Sequence, residues 1–334
     1  SEVNVQYSKK LRYVTFPPIS FEQFGTIQPK AHEGFNIGYI GTLDYSKIHR
    51  NFLSMSAAID IPKIKFIICD SSGDKGKVEL EAQNYDAGKF QFMGFIYAGM
   101  EQIVSHAARM RNRTRGRLHC PLVFRAPFGG GIHAPEHHSE STEALFAHVP
   151  GLRVVIPSSP ARAYGLLRAA ISCPDPVLFL EPKRLYRLQR LPVDLDDVPL
   201  PLDRCFTLRP GEDITLVSWG AMIHETLAAA DHLAQAGIKA EVIDVATLNP
   251  LDRDTLVASV SKTGRAVIVH EAPFTGGFGA EIAATLASDA LMQLRAPVTR
   301  VTGYDTPMPY FAMEREYMPS VERIVEAAKQ QMEY

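Results

Sequence analysis

Four short apolar runs, at residues 214–219, 240–245, 266–270 and 298–301, alternate with three stretches of helical periodicity at 224–236, 252–261 and 279–288. Runs this short, without a polar position at every second residue, read as strands buried on both faces. When a helix separates each strand from the next, the strands pair in parallel and the helices cover both faces of the sheet. Residues 203–334 are therefore expected to form a doubly wound α/β domain. The same alternation runs upstream. Strands are expected at 122–125, 153–156 and 177–180, and helices at 143–147 and 161–171. A further helix at 100–111 places Ile103, Val104, Ala107 and Met110 on one face. Residues 188–202, with their prolines and aspartates, read as a linker. The fold class is α/β, with parallel sheets covered on both faces.

Composition narrows the partners. At 334 residues, with 46% hydrophobic and 22% charged, the chain has the make-up of a soluble protein of two or three domains. A net charge of −2 gives no reason to expect nucleic acid or an anionic membrane surface. Arg109, Arg111, Arg113, Arg115 and Arg117 form a local cationic stretch, and in a near-neutral chain they suit carboxylate pairing between subunits. The four cysteines lie far apart without a CxxC pair, which points to reduced thiols in a cytoplasmic protein. No run of eighteen apolar residues occurs, and the first residues carry no signal-peptide pattern.

The chemistry is expected in PFGGGIHAPEHHSES, residues 127–141. Three glycines, Gly129 to Gly131, follow the strand at 122–125, and His133, His137 and His138 come directly after. A glycine turn leading off a strand into an imidazole-rich loop stands where α/β sheets place their sites. The alternative is a surface loop with solvated histidines. No cysteine or further histidine at ligand spacing lies nearby to complete a zinc site.

Residues 1–34 read as irregular. A strand at 35–39, the turn Gly41–Thr42–Leu43, a helix at 46–59 and a strand at 65–69 make one βαβ unit, followed by a polar loop or seam at 71–88. Residues 30–88 resemble the nucleotide-sugar-binding half of retaining glycosyltransferases of the two-Rossmann-domain type. The acceptor domain and acidic donor-binding motif of such enzymes have no counterpart here.

Residues 90–334 resemble the beta subunit of thiamine-diphosphate-dependent 2-oxo acid dehydrogenases of the pyruvate and branched-chain type. The resemblance is carried by QFMGFIYAGMEQIVSHAARMRNRTRGR, CPLVFRAPFGGGIHAPEHHSES, PGLRVVIPSSP, DPVLFLEPKRLYR, VSWG, EVIDVATLNPLD, VIVHEA, GGFGAEI and RVTGYDTPMP, in that order. It implies a transketolase-like architecture. Residues 90–190 would be the remainder of a pyrimidine-binding domain, residues 203–334 the C-terminal domain, and 1–89 a glycosyltransferase-like replacement of the first half. His138 matches the histidine of the family's H-S-x-S motif, which orients the substrate carboxylate or the incoming lipoyl group. Ser139 beside it could fix the imidazole tautomer, leaving His133 and His137 exposed or structural. Gln91 and Phe95 match the residues that contact the cofactor's aminopyrimidine. Backbone carbonyls of Cys120, Leu122, Val123, Ala170, Cys173 and Asp175 resemble a potassium site.

The implied partners are an alpha subunit in an α2β2 assembly, a lipoyl acyltransferase core and a 2-oxo acid. No GDG…NN pattern occurs here, so the alpha chain would hold the diphosphate and magnesium. One departure stands out. The family's activating glutamate, in an I-S-E-type motif, belongs about where this chain has Phe66–Ser72; the nearest acid is Asp70, and Glu79 and Glu81 lack the motif. The chain thus reads as a fusion or an aberrant gene product. Two functions stay open, a decarboxylase beta subunit and a catalytically impaired assembly module of the same complex, with a glycosyltransferase third.

Overall fold

A computed structural model describes residues 36–40, 65–69, 90–93, 100–134, 138–186, 188, 193 and 199–334. The expectations for 1–34, 46–59 and 71–88 lie outside these residues. The chain divides into two compact units. One takes the described residues up to 126 with 149–152 and 171–179, and the other takes 127–148, 153–170 and 180–334.

In the first unit, β1 (Asn36–Ile40), β2 (Lys65–Cys69) and β3 (Phe90–Met93) form a three-stranded parallel sheet in that order. The expected pair of parallel strands is present, and β3 extends it. The helix expected at 100–111 departs from its simple period. Residues Gln102–Ala107 widen into a π-helix, followed by the short α1 (Met110–Arg113). Ile103 and Ala107 remain on its buried side. Of the five arginines, Arg111 reaches Asp175 of its own chain through Nε at 2.6 Å.

A four-stranded sheet has the order β10-β5-β6-β4, built from β4 (Val123–Phe128), β5 (Arg153–Val155), β6 (Val177–Pro182) and β10 (Thr247–Asn249). β10 was not legible as a strand and pairs antiparallel with β5. α2 (Glu143–Ala147) and α3 (Pro160–Ser172) fall where expected. α3 opens on proline, whose missing N–H costs nothing in a first turn. The end of the expected linker is fastened to it, since Leu200 donates its N–H to Gly165 at 3.2 Å.

The second unit's main sheet has five strands in the order β12-β11-β8-β9-β7. They are β7 (Phe206–Arg209), β8 (Ile214–Ser218), β9 (Ala240–Asp244), β11 (Ala266–Pro273) and β12 (Thr299–Gly303). All pair in parallel except β7, an antiparallel edge that the alternation did not reveal. α4 (Ile223–Gln235) and α8 (Val321–Met332) cover one face; α5 (Arg253–Thr263) and α6 (Gly279–Asp289) cover the other. α4 buries Ile223, Thr226, Ala229, Ala230 and Leu233, the stripe a 3.6-residue period dictates, against Leu216, Val242 and Val269. α8 and α7 (Phe311–Tyr317) follow the last expected strand and had no counterpart in the sequence reading. No described helix is long and apolar enough to cross a membrane.

β8 is the first of this sheet's parallel strands, after the antiparallel edge β7. The chain then goes to β9 on one side and later to β11 on the other. The crevice beyond the carboxyl ends of β8 and β11 is thus the topological switch point, where doubly wound sheets place their sites.

Candidate active site

β4 delivers the chain to the glycines at Phe128. Two points beyond it are joined directly, with Gly129 N–H donating to the Glu140 carbonyl at 3.1 Å. Gly129 and Gly131 have φ of +81° and +77°, the left-handed region that β-carbons disfavour. Each is also crowded. A Cβ on Gly129 would strike the Glu271 carboxylate, and one on Gly131 would overlap Arg184. Glycine is required here both by backbone conformation and by close approach.

Three side chains grip this loop. Glu314, on α7, accepts from the N–H groups of Gly131 at 2.7 Å, Ile132 at 3.2 Å and His133 at 3.0 Å. Lys183, just after β6, donates through Nζ to the His138 carbonyl. Glu271, on β11 at the switch point, lies against Gly129. Its neighbour Arg184 pairs with Glu225 of α4. The loop is therefore held on residues far apart in sequence.

Behind the loop lies a buried acidic pair. Glu143 and Glu271 are both enclosed, and the Glu271 carboxylate raises the proton affinity of Glu143 by like charge. Burial pushes the Glu143 carboxyl up to about 8, with Glu271 adding to the rise, while its own backbone N–H and the Trp219 indole oppose it. Trp219 Nε1 donates to Glu143 Oε1 at 3.3 Å, and Oε2 has no hydrogen-bond partner among the described residues. Burial likewise raises Glu271. The Ser141 hydroxyl, the Arg184 and Lys183 cations and the Gly130 amide face it and favour the charged form. Neither oxygen of Glu271 meets full hydrogen-bond geometry. His270, beside it, is pressed down to about 3, chiefly by burial and then by Arg300, so it stays neutral; its ring stacks on Trp219 at 5.2 Å.

A buried acid with a raised pKa holds its proton in the folded chain while the unfolded chain has released it. Stability is then fully present below about pH 4.5 and falls as pH rises, by roughly 1.4 kcal/mol per unit, until the folded group titrates near pH 8. Glu143→Gln removes that dependence. Urea midpoints at pH 5.5 and pH 8 should show the variant gaining on the native chain by about 3 kcal/mol over this range. A constant difference between the two proteins would contradict a protonated Glu143.

The histidines separate as follows. His138 is half-buried and His133 is exposed, its Nε2 3.6 Å from Glu314 Oε2. His137 lies outside the described residues. Ser139, expected to fix the tautomer of His138, has another partner for its proton. It is fully buried, and its hydroxyl donates to the Ala134 carbonyl at 3.3 Å. Gln91 stands on β3 beside Ile67 of β2, its side chain outside the described residues, as is all of Phe95.

Of the residues carried over for potassium, Cys120, Leu122, Val123, Cys173 and Asp175 fall in the first unit and Ala170 in α3 of the second. Leu122 O already accepts from Val177 N–H at 2.8 Å, and Cys120 O from Leu122 N–H at 2.8 Å. Burial and Asp175 push the Cys120 thiol up to about 12, so it remains protonated. Among the described residues no group of three or more His, Cys, Asp or Glu is placed to hold a metal.

Glu314, Glu271, Glu143 and Trp219 were not singled out from sequence, and Lys183 appeared only inside the EPKR motif. A signal existed for two of them: Glu271 ends VIVHE and Trp219 ends VSW, both at the carboxyl ends of expected strands. Glu314 meets residues 181 to 183 positions away, and nothing local announces that.

Comparison with known proteins agrees with this architecture. Residues 81–189 match the family "Transketolase, pyrimidine binding domain", and residues 204–324 match "Transketolase, C-terminal domain". The first match starts inside the 30–88 stretch, and none of these relatives supports the glycosyltransferase likeness. The pyruvate dehydrogenase E1 component subunit beta of Bacillus subtilis is 44% identical over 246 residues, covering 74% of this chain and 76% of its own. The 2-oxoisovalerate dehydrogenase subunit beta 2 of Arabidopsis thaliana is 46% identical over 247 residues, 74% and 69% of the two chains. Among solved structures, a "Split gene transketolase, inactive beta4 tetramer" superposes with a TM-score of 0.59 at 26% identity, covering 81% of this chain and 92% of that one. With both transketolase-type domains in order and such relatives across most of its length, the chain belongs to the family of beta subunits of 2-oxo acid dehydrogenase decarboxylase components.

Proposed function

We propose that this chain acts in the oxidative decarboxylation of a 2-oxo acid by presenting His138, from a loop built onto the C-terminal domain's switch point, to the substrate carboxylate or the incoming lipoyl group. The observation that carries this reading is the anchoring of residues 129–140 by Glu314, Lys183 and Glu271, which leaves His138 half-buried rather than solvated. An imidazole suits the task because its charge is adjustable near neutral pH. Thiamine diphosphate supplies the carbanion chemistry when bound, and the alpha subunit would bring the ligands of its diphosphate and magnesium. Residues 90–190 are read as the pyrimidine-binding remainder and 203–334 as the C-terminal domain. The solved relative is a split-gene transketolase whose beta4 tetramer is inactive, which accords with a requirement for the alpha chain.

The test is co-expression with a cognate alpha chain, followed by assay with pyruvate and branched-chain 2-oxo acids and a lipoyl domain. Reductive acylation dependent on both chains is expected with at least one acid. A complex that assembles and binds thiamine diphosphate but turns over none of them would favour the impaired assembly module, for which the missing glutamate motif speaks.

A further inference from the structure

Resting on the reading of His138 above, we propose that Glu314 is a positioning residue for the reaction: its one carboxylate takes three successive loop amides and so sets where His138 stands. The three N–H groups of Gly131, Ile132 and His133 converge because the turn carries left-handed backbone at Gly131 and at His133, whose φ is +60°. Successive amides in such a turn form a concave nest that favours an anion. The anion here is internal. Glu314 is only 3% exposed, and a carboxylate at that depth is stable only when donors surround it. The exposed His133 ring adds a fourth group, 3.6 Å from Oε2.

The arrangement has a mechanical consequence. Five residues beyond His133 the chain reaches His138, whose carbonyl Lys183 holds. Glu314 on α7 holds the loop at residues 131–133 and Lys183 after β6 holds it at His138, and the Ser139 hydroxyl ties the two ends together at the Ala134 carbonyl, 3.3 Å away. Met308, just before α7, lies against Gly130, so the nest and the glycine turn move with that region as one contact. Releasing Glu314 removes three hydrogen bonds from the turn next to Ala134, the residue that the Ser139 hydroxyl beside His138 holds. A misplacement of about 1 Å in a reacting constellation costs on the order of 10²-fold in rate.

Glu314→Gln keeps the shape but removes the charge and turns an acceptor into a donor facing an N–H. The experiment measures this variant in the assembled complex with its alpha chain, alone and combined with His138→Ala, and follows amide hydrogen exchange over residues 129–141. The expected result is a fall in kcat of about 10–100-fold with KM for the 2-oxo acid nearly unchanged. In the His138→Ala background the same change should cost little more, because the group being positioned is already gone. Exchange at residues 131–133 should quicken in the variant. Glu314→Asp, which restores the charge one methylene short, should recover part of both effects.

Equal losses in the two backgrounds would make Glu314 an ordinary structural anchor and overturn the proposal while leaving His138 in place. Unchanged exchange at 131–133 would overturn it even in a complex without turnover. If His138→Ala proved harmless while Glu314→Gln was damaging, the reading of His138 would fall, and positioning through it would fall with it.

Discussion

Replacing His138 with alanine is expected to lower reductive acylation of lipoyl groups by about 10²–10⁴-fold, the usual cost of losing a positioned acid–base or orienting group. His133→Ala and His137→Ala should stay near the native rate. For His133 the structure gives the reason. Its backbone N–H, which alanine keeps, makes the 3.0 Å bond to Glu314, and its exposed ring contributes only a contact at 3.6 Å. An exposed pair of that kind is worth little. The comparison needs a background with turnover. It is therefore made in the complex with the alpha chain, and in parallel in a chain whose first 89 residues are exchanged for a family sequence carrying the activating glutamate. A damaging His137→Ala beside a harmless His138→Ala would shift the site by one residue and refute the assignment.

Gly129→Ala should be the most destabilising small change in the loop. A Cβ at φ +81° costs about 1–2 kcal/mol by itself. Here it would also run into the Glu271 carboxylate, which is buried and has nowhere to retreat. Overpacking of that kind adds roughly 1–3 kcal/mol. Gly237, at the end of α4, provides the control. Its φ is also +81°, but nothing lies within 4 Å of where its Cβ would be. Gly237→Ala should therefore show the backbone cost alone. Thermal or urea melts of the two variants isolate the steric part by difference. Equal destabilisation would mean that Glu271 does not press on the turn, and the packing of the loop onto β11 would be wrong.

These expectations depend on contacts of very different legibility. The central strands of the second unit's main sheet and the helices between them were readable because each is a short apolar run or a 3.6-residue stripe, whereas α7 and α8 were not read at all. β8, β9 and β11 and helices α4, α5 and α6 fall within a few residues of the periodicities that announced them. What periodicity could not show was the pairing partner. β10, three residues long, joins the sheet of β5 rather than that of β9, which precedes it, and β7 turns antiparallel at an edge. Both are choices of neighbour, decided by the packing of the whole chain.

The loop of glycines and histidines was likewise visible as a place for chemistry, since glycine at the end of a strand has few other reasons to come in threes. Its family resemblance singled out His138. The sequence by itself determined the parallel α/β class and, through the resemblance, pointed to the loop and to His138 as the residue to test. Only the tertiary structure decided what holds that residue. The grips are side chains from β11, α7 and the turn after β6, brought to one loop by the sheet's switch point and separated from it by tens to nearly two hundred positions along the chain. Local pattern records what each segment buries against its own element. The partners of a buried carboxylate or a strained glycine are fixed by where the elements meet, and that information resides in no single stretch of sequence.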